Sequence, residues 1–139
     1  MSDEAADLAG EVWRSLRELV LDRNDRRKQA AESAGLTFNR VKALIRIAAE
    51  PLTLRALAEY LVIDAPYTTV VVDDLVKRGL AERLAHPQDR RAKLVHATAA
   101  GRRVARRAAA VMDTPPDALL ALDPEELAVL DRILGKLLA

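Results

Sequence analysis

The chain has no cysteine, two histidines, one tryptophan and only 3% aromatic residues. Without cysteine there can be no disulfide framework, thiol switch or thiolate zinc site. His86 and His96 alone do not suggest a metal centre, and the sequence points to no metal and no cofactor. So few aromatics leave little material for a stacked ligand pocket. No apolar run approaches the roughly 18 residues of a membrane span, and the acidic start Ser2-Asp3-Glu4 is unlike a signal peptide. The expectation is therefore a soluble, cytoplasmic protein with no membrane partner. Catalytic signatures are missing too: there is no G-x-S-x-G, Walker loop, H-E-x-x-H or Rossmann glycine series. Asp73 and Asp74 are adjacent, and neighbours on a helix point about 100° apart. Asp73 reads better as a brace for nearby arginines than as half of a catalytic pair, so an enzyme is not expected.

At 139 residues, 50% of them hydrophobic, the chain can form one domain with its own core. Its formal charge of +1 conceals an uneven distribution. Between positions 77 and 107 stand ten basic side chains (Lys77, Arg78, Arg83, Arg90, Arg91, Lys93, Arg102, Arg103, Arg106 and Arg107) against Glu82 and Asp89 alone, a net +8. The 76 residues before carry −3 and the 32 after carry −4. One basic lobe between acidic flanks suits DNA, although a solvated charged face is the plainer reading of any such cluster.

The stretch from Asp64 to Thr98 accounts for most of that lobe. Asp64 is a good N-cap, and Pro66 is tolerated in a first turn, where backbone N–H groups lack intrahelical partners. Val71, Val72, Leu75 and Val76 recur at helical spacing, and Gly79 suits the left-handed residue that stops a helix. Leu80 to Ala85 reads as a strand, His86-Pro87-Gln88-Asp89-Arg90-Arg91 as a polar turn, and Ala92 to Ala97 as the returning strand. A short helix followed by a two-stranded ribbon with an arginine-bearing tip is the pattern of a winged helix-turn-helix. The helix would enter a major groove, and the tip would reach phosphate or the adjacent minor groove.

Elsewhere the pattern is helical. Leu8, Val12, Leu16, Leu19 and Val20 form one amphipathic stripe. Its continuation, Asp22 to Gln29, is almost wholly charged and predicts a solvated helical surface or a kink, ending near Gly35. Trp13 neighbours the stripe, in a core or an interface rather than a ligand pocket. Thr37 is placed to cap a helix through Val41, Leu44, Ile45 and Ala48, which Pro51 stops. Thr53 caps a short helix faced by Leu54, Leu57, Ala58 and Leu61; with the helix from Asp64 it makes a helix-turn-helix. Thr98 caps another helix, with Val104, Ala105, Ala108 and Val111 inward and Arg102, Arg103, Arg106 and Arg107 outward. Pro115-Pro116 ends it. Asp123-Pro124-Glu125-Glu126 is a capping box with proline at N1. The stripe that follows (Leu127, Leu130, Ile133, Leu134, Leu137, Leu138) is too apolar to stand alone. Together with Leu8 and Val12 on the first helix, Leu127, Leu130, Leu134 and Leu137 imply an interface between subunits.

Read in order, L-T-F-N-R-V-K-A-L, L-R-A-L-A-E-Y-L, V-V-D-D-L-V-K-R-G-L-A-E-R, D-R-R-A-K-L-V and the D-P-E-E-L tail resemble the MarR (multiple antibiotic resistance regulator) family over nearly the whole chain. The most specific piece is Asp89-x-Arg91, six residues after Arg83. The resemblance implies a mainly α fold with a small β-wing. A winged helix-turn-helix lobe at about 36–98 would lie between dimerisation helices at about 3–34 and 99–139, all in one 1–139 domain. It implies a homodimer that binds double-stranded DNA, usually as a repressor, and that a small aromatic or anionic effector can release. By the same resemblance Asp89 would brace the wing through a salt bridge, for which Arg83 is the candidate partner, and Arg91 would enter the minor groove. An Asp89–Arg91 pair that only shapes the turn is the alternative.

Arg90 would be free to meet phosphate, and Arg78, in the same basic run, is a further DNA-binding candidate. Thr53 and Arg55 would sit near phosphate at a helix N-terminus. The recognition helix departs from the commonest family pattern, Ser-Thr-Val-Thr-Arg, by carrying Pro66-Tyr67-Thr68-Thr69-Val70 and so lacking the arginine. Readout at Pro66, Tyr67, Thr68 and Thr69 would rest on hydroxyl hydrogen bonds and contact with thymine methyls, with Val70, Val71 and Val72 packing on the core. A winged-helix module that binds an acidic protein is the competing reading, and charge reversal at Arg91 separates the two.

Overall fold

The computed structural model describes all 139 residues. Helix α1 (Asp3–Arg17) begins at Ser2, whose hydroxyl accepts the Ala5 N–H at 3.2 Å. It runs into a π-helical segment, Glu18–Arg23, and the helical path breaks at Asn24, with φ −135° and ψ 42°. The Asn24 side-chain amide donates to the Leu19 carbonyl at 2.9 Å, which closes the broken end. Asp25 then caps α2 (Arg26–Ala34) by accepting the Arg27 N–H, and Gly35, at φ +65°, ends it. The kink expected in the charged stretch is thus a full break.

Helix α3 (Phe38–Ala49) is followed by β1 (Leu52–Thr53), α4 (Leu54–Leu61) and α5 (Ala65–Lys77). Thr53 caps α4 through the Ala56 N–H at 3.1 Å, and Asp64 caps α5 through the Tyr67 N–H at 2.7 Å. The turn between α4 and α5 passes through Val62, a non-glycine residue at φ +55°. Its conformation is held by two bonds, from the Val62 N–H to the Glu59 carbonyl and from the Ile63 N–H to the Ala58 carbonyl, the pairing that closes a left-handed helix end.

Gly79, at φ +74°, releases the chain into β2 (Ala81–Ala85), which pairs antiparallel with β3 (Lys93–Ala97) in the register Arg83↔Val95. The expected two-stranded ribbon is in fact a three-stranded sheet, ordered β1-β3-β2, because Leu52 and Thr53 pair with Val95 and Leu94. Two residues are too few to show a strand alternation, and only the tertiary neighbour β3 reveals them. Helix α6 (Ala99–Asp113) starts at Thr98, whose hydroxyl accepts the Gly101 N–H and donates to the Gly79 carbonyl. A single turn, α7 (Asp117–Leu120), not anticipated in the sequence, precedes α8 (Pro124–Leu138). Both halves of the α8 capping box are formed, Asp123 accepting from the Glu126 N–H and Glu126 from the Asp123 N–H.

The core is built by the middle of the chain. Val41, Leu44 and Ile47 of α3, Leu57 of α4, Val71, Val72 and Leu75 of α5 and Val95 of β3 are essentially inaccessible, with Ala105 and Ala108 of α6 closing one side. Burying each such Leu, Ile or Val contributes about 1.5–3 kcal/mol. By contrast α1 and α8 bury no residue at all. Leu8, Val12, Trp13, Leu127, Val129, Ile133, Leu137 and Leu138 stand exposed on them, as does Val20 on the π-helical segment, and Leu130 and Leu134 are half-buried. Two long amphipathic helices therefore extend from the body with their apolar faces uncovered.

Candidate nucleic-acid interface

Helix α5 presents one face to the core and one to solvent. Thr68, Val71, Val72 and Leu75 recur at i, i+3, i+4 and i+7 and point inward; Pro66, Tyr67, Thr69, Val70, Asp73 and Lys77 point out. Thr68 is 0% exposed and its hydroxyl donates to the Asp64 carbonyl at 2.8 Å, so it cannot meet a base. Val70, expected in the core, is 52% exposed. The inward stripe, projected back one turn from Val71 and Leu75, lands on Thr68 and leaves Val70 about 100° away. That signal was present in the sequence and was outweighed by residue type.

The wing holds its tip differently from the expectation. Arg83 on β2 is ion-paired with Asp73 on α5, not with Asp89. Asp89 instead accepts the Arg91 backbone N–H at 3.0 Å, an Asx turn that shapes the tip, while His86 Nδ1 accepts the Gln88 N–H at 3.0 Å. The register explains the exchange. Arg83 lies opposite Val95, well down the ribbon from the tip and beside the middle of α5. One consequence is a direct strut between α5 and the wing. Arg90 and Arg91 are exposed, and no carboxylate stands within ion-pair distance of either.

Arg78 is placed apart from the outward face of α5. At the far end of that helix its Nε donates to Asp74 Oδ2 at 2.9 Å, beside Arg40 of α3, whose Nε donates to the same oxygen at 2.8 Å. The two guanidiniums, Arg78 first, hold the Asp74 carboxyl below its ordinary value. Arg40 thus ties α3 to α5 through Asp74, and Arg78 is the second donor to that carboxylate. Arg55, at the start of α4, is almost fully exposed and only loosely paired with Glu59 at 3.5 Å, and Thr53 is half-buried and occupied as the cap. On α6, Arg102 donates to the Ala97 carbonyl while Arg103, Arg106 and Arg107 are exposed and without acidic partners. No group of three His, Asp or Glu side chains converges as a metal set would, and no helix is long and apolar enough to cross a membrane.

A family model described as MarR family matches residues 34–92, which span α3 to the wing tip. The chain superposes on wild-type apo MarR from E. coli, with a TM-score of 0.75, 24% identity and 94% and 96% of the two chains covered. It also superposes on RV1404 from Mycobacterium tuberculosis, with a TM-score of 0.77, 25% identity and 98% and 93% covered. Residues 34–92 thus match the MarR family, and the chain as a whole has the MarR fold. A multiple antibiotic-resistance repressor (MarR) from Listeria monocytogenes shares the fold at a TM-score of 0.74 and 21% identity, with 98% and 95% covered. None of the curated proteins matches this sequence. The MarR fold is that of a winged-helix transcription regulator, and the exposed face of α5, the wing tip and the start of α4 are where this chain carries its candidate DNA-binding groups.

Proposed function

We propose that the chain is a homodimeric, DNA-binding transcriptional repressor that reads a near-palindromic operator. In this reading residues about 36–98 form the DNA-binding lobe, and about 3–34 and 99–139 the dimerisation region. The observation that carries it is the pair of unpartnered tip arginines, Arg90 and Arg91, on a wing strutted to the exposed face of α5 by Arg83–Asp73. A planar guanidinium suits a narrow minor groove of enhanced negative potential, and the net +8 of residues 77–107 supplies the phosphate attraction.

Dimerisation is supported by the uncovered apolar faces of α1 and α8. Soluble monomers rarely expose so much contiguous apolar surface, and a two-fold pair would cover both helices at once. Such a dimer would set its α5 helices one DNA turn apart, in successive major grooves. A small aromatic or anionic effector would act by binding better to a dimer whose helix spacing mismatches the operator.

The test is fluorescence anisotropy with duplex from the intergenic DNA upstream of the protein's own reading frame, titrated with wild type and Arg91→Ala from about 50 to 200 mM salt. Tight, sequence-selective binding is expected, weakening steeply with salt, with the Arg91→Ala variant weaker and its log–log salt slope shallower by about 1. Sedimentation should show both proteins as dimers. Binding indifferent to sequence and to Arg91 would reject the reading in favour of a protein partner for the basic lobe.

A further inference from the structure

The exposed face of α5 has an unusual chemistry for a helix placed to read DNA. From Asp64 to Val76 there is no Arg, Lys, His, Asn or Gln, so none of the side chains that pair bidentately with guanine or adenine is present on the helix before its last residue, Lys77. Hydroxyls are few as well. Thr68 is buried, and the Thr69 hydroxyl donates to the Ala65 carbonyl at 3.2 Å, which leaves it only lone pairs to offer outward. Asp73, one turn beyond Thr69 and Val70, is engaged by Arg83 from the wing. Apart from the Tyr67 phenol, 38% exposed, what remains on the outward stripe ahead of Lys77 is apolar: Pro66 and, one turn on, Val70, 52% exposed.

Among the major-groove edges of the four bases only thymine displays an apolar group, its C5-methyl. We propose that α5 selects thymine-bearing half-sites through methyl contact with Val70 and Pro66, and that Val70 is the residue that sets this preference. The proposal rests on the DNA-binding reading above. It assigns the base class read by the recognition helix, which the other elements do not determine: wing arginines read groove width and phosphate, and both are insensitive to a methyl in the major groove.

The experiment begins with binding-site selection from random duplex by the full-length protein. Each thymine in the selected half-site is then replaced with deoxyuridine, which keeps the base pair and removes only the methyl. Burial of one methyl-sized group corresponds to about a fourfold change in affinity. Deoxyuridine at one or two positions per half-site should therefore weaken wild-type binding about fourfold each, and Val70→Ala, an exposed substitution that leaves the core intact, should lose most of that sensitivity. A selected operator on which no deoxyuridine weakens binding overturns the proposal while leaving the DNA-binding reading in place. So does sensitivity that survives unchanged in Val70→Ala. Failure to enrich any sequence would reject the DNA-binding reading and this proposal with it.

Discussion

Gly101 offers a sharp test of how the winged-helix lobe is joined to α6. It lies in the first turn of that helix, where alanine would ordinarily improve stability by about 1 kcal/mol through helix propensity. The surroundings reverse the sign. A Cβ built there would stand 1.9 Å from the Leu80 carbonyl oxygen and 3.3 Å from Leu44 Cδ1, whereas real Cβ atoms do not approach other heavy atoms within 3.0 Å. Leu80 cannot easily yield. Its carbonyl accepts the Thr98 N–H at 3.1 Å and its N–H donates to the Leu75 carbonyl at 2.9 Å, so moving it by about 1 Å disturbs both the end of α5 and the cap of α6. Overpacking of this kind costs about 1–3 kcal/mol, more when backbone must shift. Gly101→Ala is therefore expected to destabilise by about 2 kcal/mol or more, lowering the melting temperature by roughly 5–10 °C. Gly135→Ala is the matched control: it is also inside a helix, with nothing within 4 Å of the added Cβ, and should be neutral or stabilising by up to about 1 kcal/mol. Chemical denaturation of all three proteins at one protomer concentration, as the proposed dimer would require, makes the comparison. A Gly101→Ala protein as stable as wild type would refute the close approach of α6 to the α5–β2 turn.

Two further outcomes follow from local geometry. Val62 holds a left-handed conformation at φ +55° while 86% exposed, so it bears the strain of a β-branched residue with no packing to offset it. Val62→Gly should stabilise by about 1 kcal/mol, and a clear loss in the denaturation midpoint would show that this conformation is not strained. Asp25 caps α2 and takes two further hydrogen bonds from the Arg27 guanidinium, which, with the Arg27 N–H, lower its pKa from 3.8 to about 2. A carboxyl with a depressed folded-state pKa contributes fully above its unfolded value and loses the contribution as pH falls through the folded one. Wild type should thus exceed Asp25→Asn in stability above about pH 4, with the difference vanishing toward pH 2. A pH-independent difference in urea titrations would contradict that pairing.

Much of the secondary structure was legible because its signals are local. Ser2, Asp25, Thr53, Asp64, Thr98 and Asp123 bond N–H groups two or three residues away, whereas the Thr37 hydroxyl is taken by the Arg40 guanidinium; Gly35 and Gly79 stop helices by their own φ, and the D-P-E-E box closes on itself. None of these needs a distant neighbour. The same holds for the amphipathic stripes of α1 and α8, whose apolar faces are legible from sequence spacing alone and stand uncovered. What the chain alone left undecided are pairings between residues far apart or on different elements. Arg83 had two acidic candidates, Asp89 six residues away and Asp73 ten residues away. The register of β2 on β3 and the approach of α5 brought Asp73 to it and left Asp89 to shape the turn. Arg78, one more cation in a basic run, was drawn to Asp74 together with Arg40, 34 residues from it. Leu52 and Thr53 became a strand only because β3 lay beside them. Which face of α5 meets the core was decided by packing: a threonine can be buried if its hydroxyl finds a carbonyl, as Thr68 does, and a valine can be left outside if no hole receives it, as Val70 is.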